Sequence, residues 1–171
     1  MFRPCIVAGP DALALVENIP YVQLSQRLPE LLTRALELMP VLKPVLPDPG
    51  VEFQLVHHDD VAAAFRAAVL GRSDPGVYNL AGEGTVGMSD LARALGWYSI
   101  RVPEFAVDAT AELVARAPFV PAEAQWIEAV RVPVLMDTSR ARRELRWRPK
   151  HDALETLRGM ADAVRAERSV S

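Results

Sequence analysis

Phe53 to Val69, FQLVHHDDVAAAFRAAV, decides how the chain is read. An apolar run gives way through His57-His58-Asp59-Asp60 to a segment dominated by alanine. The spacing predicts a strand over VEFQLVHH and a helix over DDVAAAFRAAVLG, with Asp59 or Asp60 as N-cap and Gly71 just past the end. Val61, Phe65, Ala68 and Val69 form the heavy face of that helix. Arg66 is the only charge on its alanine-rich remainder, which predicts packing on most sides.

Outward from this joint the rhythm is α/β. MFRPCIVAG reads as a buried strand closed by Gly9-Pro10, and LPELLTRALELMP as a helix. A proline-rich connector follows, VLKPVLPDPG, expected to be extended or turn-rich and at the surface. SDPG turns into the strand VYNLAG, and Ser89-Asp90 caps the helix DLARALG. Two helices are expected around 105–117 and 121–131, then a short strand VPVLMD and a helix SRARRELR capped by Thr138 or Ser139. A last helix from about Asp152 to Arg165 leaves 165–171 as a frayed tail.

The bulk numbers narrow the function classes. At 171 residues the chain is expected to be a single domain, 1–171, with one core. Half its residues are hydrophobic, 24% are charged and the net charge is -3, which argues against a disordered tail or a nucleic-acid surface. No apolar run is long enough to span a bilayer and no signal peptide is visible, so a cytoplasmic protein with no membrane partner is expected. The lone Cys5, in CIVAGP, excludes an internal disulfide and reads as a buried structural thiol.

Sites of known pattern are weak. Neighbouring strand residues point to opposite faces, so His57 and His58 are not expected to share one ion, one facing the core or a pocket and the other away; no metal is expected there. There is no Gly-x-Ser-x-Gly elbow, and no catalytic residue is assigned. AGEGTVG, Ala81 to Gly87, lies between a strand and a helix but lacks the rest of a dinucleotide-binding unit, and reads as a flexible connection.

Taken in order, RPCIVAGP, FQLVHHDDVAAA, GVYNLAGEGTVGMSDLARALG and MDTSRARRELRWRP resemble the C-terminal half of the extended short-chain dehydrogenase/reductase family, the NAD-dependent epimerase/dehydratases. The resemblance implies an α/β fold in which the first phrase is the last core strand of a Rossmann-like NAD(P)-binding sheet and the rest a mixed α/β substrate-binding lobe. Arg3, Gly9 and Pro10 match the family's Arg-x-x-Asn-x-Tyr-Gly-Pro, while Ile6 and Ala8 replace its Asn and Tyr. His57, Asp60, Val61 and Ala62 match its His-x-x-Asp-Val-Ala, and Asn79 its Tyr-Asn-Leu; His57, Asp60 and Asn79 are thereby structural landmarks. Asp137, Ser139, Ala141, Leu145, Trp147 and Pro149 match a further phrase, with Arg146 where the family has glycine.

By the same resemblance Arg3, Pro4 and Cys5 lie nearest the cofactor, NAD or NADP, and Phe53, Gln54 and Arg131 on the substrate side, with the KPVLPDPG connector bordering the pocket. Phe53 stands where nucleotide-sugar epimerases carry an arginine, and EAVRVPVLMD lacks their Arg-x-Gly-Asp, which leaves room for a less charged small-molecule substrate than a nucleotide sugar. The glycine-rich dinucleotide fingerprint and the Tyr-x-x-x-Lys of the family are not found in these residues. The expectation is therefore a substrate-binding fragment, inactive alone and not binding the cofactor tightly, whose partner is an N-terminal Rossmann half or a homodimer mate. The alternative is a non-catalytic interaction module derived from the same fold.

Overall fold

A computed structural model of the chain describes residues 1–12, 45–71, 74–103, 133 and 135–170. The expected helices around 28–39, 105–117 and 121–131 and the candidate Arg131 lie outside the described residues. The chain divides into two compact units, Met1–Val16 with Phe53–Val86 and Val134–Ser171, and Glu17–Glu52 with Gly87–Pro133.

The first unit begins with β1 (Phe2–Pro4) and β2 (Ile6–Ala8), one extended run interrupted at Cys5. It also holds β4 (Leu55–His57), α1 (His58–Val69), β5 (Tyr78–Leu80), α3 (Ser139–Glu144) and α4 (Ala153–Val170). β1 pairs in parallel with β5, Arg3 opposite Asn79, and β2 in parallel with β4, Ala8 opposite His57. At the break the Cys5 N–H donates to the Leu80 carbonyl at 2.9 Å, and the Gly82 N–H donates to the Leu55 carbonyl at 2.8 Å. The chain passes from β4 to β5 through α1.

Val56, Ala64, Ala67, Tyr78, Leu80, Ala141, Leu145 and Trp147 form a buried core, with Phe2, Cys5, Val7, Val61 and Ala68 packed against it. The opening strand is less buried than MFRPCIVAG suggests: Arg3, Pro4 and Ile6 are exposed and only Ala8 is fully buried. Phe2, Cys5 and Val7 reach the core, and the break in the strand at Cys5 interrupts a simple alternation of faces.

Of the expected heavy face of α1, Val61 and Ala68 pack against the core, and Phe65 and Val69 are corrected. Its buried residues are Asp60, Ala64 and Ala67, whereas Phe65 and Val69 are 52% and 85% exposed. Small side chains at these positions let the helix approach the sheet closely, and the larger ones on the same helix lie on its rim. Gly71 does sit just past the end, at φ +70, with its N–H on the Ala68 carbonyl at 2.9 Å. The final helix runs past the expected Arg165 to Val170.

In the second unit β3 (Val45–Asp48) pairs in parallel with β6 (Tyr98–Arg101), and α2 (Met88–Leu95) packs on both. Part of the connector VLKPVLPDPG is thus a strand with Leu46 and Asp48 buried and Val45 exposed, Pro47 being tolerated in a two-stranded ladder. The α2 N-cap is Gly87, and Asp90 accepts its N–H at 3.0 Å, so Ser89 is not the cap. The strand expected over VPVLMD is not formed at Pro133 or Leu135–Asp137. Side chains occupy its backbone instead: the Met136 N–H donates to Gln54 Oε1 at 2.6 Å, and Asn79 Nδ2 donates to the Asp137 carbonyl at 3.2 Å.

Candidate functional site

Neither aspartate caps α1. The N-cap is His57, whose Nδ1 accepts the Asp59 N–H at 3.2 Å. The physical reason is that β4 ends at His57 and the helix begins at His58, so both carboxylates already lie within the first turn. Asp59 there is solvent-exposed, but Asp60 is 1% exposed and faces inward.

Burying a carboxylate requires partners, and Asp60 finds them on a segment distant in sequence. Its Oδ1 accepts the Lys150 N–H at 2.9 Å, its Oδ2 the His151 N–H at 3.1 Å, and its carbonyl the Trp147 Nε1–H at 2.8 Å. Gly82 completes the seat, for a Cβ there would lie 2.7 Å from the Leu55 carbonyl and 3.2 Å from that of His151. AGEGTVG is therefore a packed joint and not a flexible connection: Ala81 and Val86 are buried, and Phe53 and Val86 exchange backbone hydrogen bonds at 2.9 Å.

The consequence is that the three histidines of the chain converge. His57 stacks on His58 with ring centroids 4.3 Å apart and lies 4.1 Å from the ring of His151. The expectation that the two neighbouring histidines face opposite ways fails, because the strand ends between them and strand alternation no longer applies. The exclusion of a shared ion on that ground fails with it. One ring nitrogen of His57, one of His151 and one oxygen of Asp59 lie within 4.8 Å of one another.

Backbone and carboxylates enclose the cluster. Gly9, at φ +144, brings bare backbone against it: a Cβ there would lie 2.3 Å from His58 Nδ1 and 3.2 Å from His57 Nε2. His58 Nδ1 is buried without a hydrogen-bond partner among the described residues, while His58 Nε2 is 3.5 Å from both Asp11 Oδ2 and Asp59 Oδ1. Burial, then the neighbouring His151 and His58, pull the His57 pKa below that of a free imidazole, against the opposing pull of Asp59 and Asp60. The neutral ring this favours can accept a hydrogen bond or ligate a metal.

The other candidates among the described residues, Arg3, Pro4, Cys5, Phe53 and Gln54, lie elsewhere in the same unit. Arg3 and Pro4 are exposed on β1, and Cys5 is half-buried beside them. Burial pushes the Cys5 thiol up to about 12, as befits a structural thiol and not a nucleophile. Phe53 is held by its backbone to Val86, and Gln54 supports Met136. His151 and Asp11 were invisible as site residues in the sequence. The only signal for His151 is that it is the third histidine of a chain that has three.

No family model matches the chain, and neither does any curated protein. Solved structures do. The Bordetella bronchiseptica enzyme WbmG, in complex with NAD and UDP, has a TM-score of 0.57 at 17% identity, over 96% of this chain and 42% of its own. RMD from Pseudomonas aeruginosa, complexed with NADPH, gives 0.56 at 15% identity over 97% and 48%. The UDP-glucose 4-epimerase of Thermotoga maritima, with UDP-glucose, gives 0.55 at 19% identity over 98% and 46%. The chain thus spans less than half the length of each of these proteins, and shares with that part of them a Rossmann-like α/β fold.

Proposed function

We propose that this chain is the substrate-binding portion of an NAD(P)-dependent protein of the extended short-chain dehydrogenase/reductase type, with the dinucleotide-binding and proton-transferring groups supplied by another segment or chain. The observation that carries this reading is the fold match over nearly all of this chain to proteins solved with NAD, NADPH, UDP or UDP-glucose. The ordered phrases RPCIVAGP, FQLVHHDDVAAA and MDTSRARRELRWRP support it independently.

In this reading Arg3, Pro4 and Cys5 lie beside the nicotinamide, and Phe53 and Arg131 on the substrate side. Gln54 acts through the Leu135–Asp137 segment that its side chain holds. Phe53 in place of a pyrophosphate-binding arginine favours a small molecule less charged than a nucleoside diphosphate sugar. The chain alone then turns nothing over.

The test is a titration of the tag-free chain with NADH and NADPH followed by nicotinamide fluorescence, together with the coding DNA upstream of Met1. Weak or no cofactor binding, and an in-frame glycine-rich fingerprint with Tyr-x-x-x-Lys upstream, are expected. Tight binding with turnover by these 171 residues alone would overturn the reading.

A further inference from the structure

We propose that His57, Asp59 and His151 form a binding site for a divalent transition metal of the zinc class, at the junction of β4 and α1. The proposal is independent of the dehydrogenase reading, since it rests only on side chains that the fold brings together. Asp59 holds the site's outer edge, with its side chain 70% exposed, and His57 the inner, with its side chain 10% exposed.

The donor set fits the ion. Two imidazoles and one carboxylate are the borderline nitrogen and oxygen ligands that zinc, cobalt and nickel take, and three protein ligands leave a fourth position for water or a ligand. The two nitrogens of His57 face different ways. Nε2 is toward the Gly9 backbone, whereas Nδ1 lies 3.7 Å from Asp59 Oδ2 and is the nitrogen on the carboxylate side. The other oxygen of Asp59, Oδ1, is 3.5 Å from His58 Nε2, which places a nitrogen beside the ligating carboxylate.

Metal bonds of about 2.0–2.2 Å at tetrahedral angles put ligand atoms roughly 3.3 Å apart. The present atoms lie within 4.8 Å, so the site must contract. The exposed Asp59 side chain has the freedom to do so, and His151 is placed by its backbone, through Asp60, with its ring 4.1 Å from that of His57. Binding exchanges the 3.2 Å contact between His57 Nδ1 and the Asp59 N–H for a metal bond, and the freed amide lies in the exposed first turn, within reach of water. His151 comes from a different segment than His57 and Asp59, so the ion would clasp the 148–152 loop to the start of α1.

The experiment is calorimetric titration of the tag-free, chelator-stripped chain with zinc chloride, repeated with cobalt to read the visible bands of a tetrahedral ion. We expect saturation at about one ion per chain and a rise in melting temperature. His151→Gln and Asp59→Asn each weaken binding at least about tenfold, with far-UV circular dichroism unchanged; His57→Gln is avoided as the decisive variant because it also removes the helix cap. No saturable zinc binding overturns the proposal and leaves the three rings as packing alone. So does binding that both variants retain at full strength.

Discussion

Asp60 shows how one side chain can organise a region that its own neighbours do not. Its two carboxylate oxygens accept the N–H groups of Lys150 and His151, and it is buried. Asp60→Asn keeps the shape but turns an amide N–H against one of those donors, so it should cost roughly 1–3 kcal/mol in urea unfolding. The same variant should loosen His151 and weaken zinc binding more than its distance from the ligands would suggest. Arg146 is the opposite case. It is the one non-glycine residue with positive φ among the described residues, at φ +51, just after α3. The resemblance places glycine there, and the left-handed conformation explains why. Arg146→Gly should therefore stabilise the chain by about 0.5–1 kcal/mol, read as a higher urea midpoint at unchanged slope.

At the scale of elements, helix α1 carries both the clearest expectation and its sharpest corrections. Its existence, its start near His58 and its stop at Gly71 were legible from composition and the glycine punctuation. Its cap and its buried face were not. A histidine is a rare N-cap, and the larger residues Phe65 and Val69 draw a hydrophobic pattern toward the wrong side. The buried Ala64 and Ala67 are small because the helix lies close to the strands of the core, a distance that no single-segment pattern encodes. Ala64→Leu should then overpack this contact and cost about 1–3 kcal/mol, whereas Ala63→Leu, at an exposed position of the same helix, should leave stability nearly unchanged. Denaturation of the two variants side by side checks which face is buried. The expected strand VPVLMD failed for a related reason: Gln54 and Asn79, both distant in sequence, occupy the backbone groups that a ladder would need.

At the scale of the molecule, the first unit is assembled from three segments far apart in the chain, and what was legible follows that division. Strand and helix signals within each segment could be read, and so could the order of family phrases. The convergence of His57, His58 and His151 could not, because it depends on Asp60 and Gly82 meeting the 148–152 loop. Titration also acts on the whole molecule. Asp137 is held below the usual carboxylate range, first by the Ser139 N–H and then by the Ser139 hydroxyl, and Glu144 by the Tyr78 hydroxyl and Arg140. A depressed folded pKa means that the folded state binds fewer protons, so this stability is present above the ordinary values of 3.8 and 4.5 and lost as pH falls below them. Both groups are at the surface, so the acid decline from them is small and weakened by salt. Cys5 has the opposite sign. Its thiol is raised from 9.0 to about 12, so unfolding releases its proton, and the stability it contributes is lost as pH rises through that interval. Urea midpoints measured from pH 2 to 11 should decline at both ends. Asp137→Asn with Glu144→Gln should make the acid limb slightly shallower at low salt, and Cys5→Ala should flatten the alkaline one, because each removes a group whose proton uptake or release differs between the folded and unfolded chain.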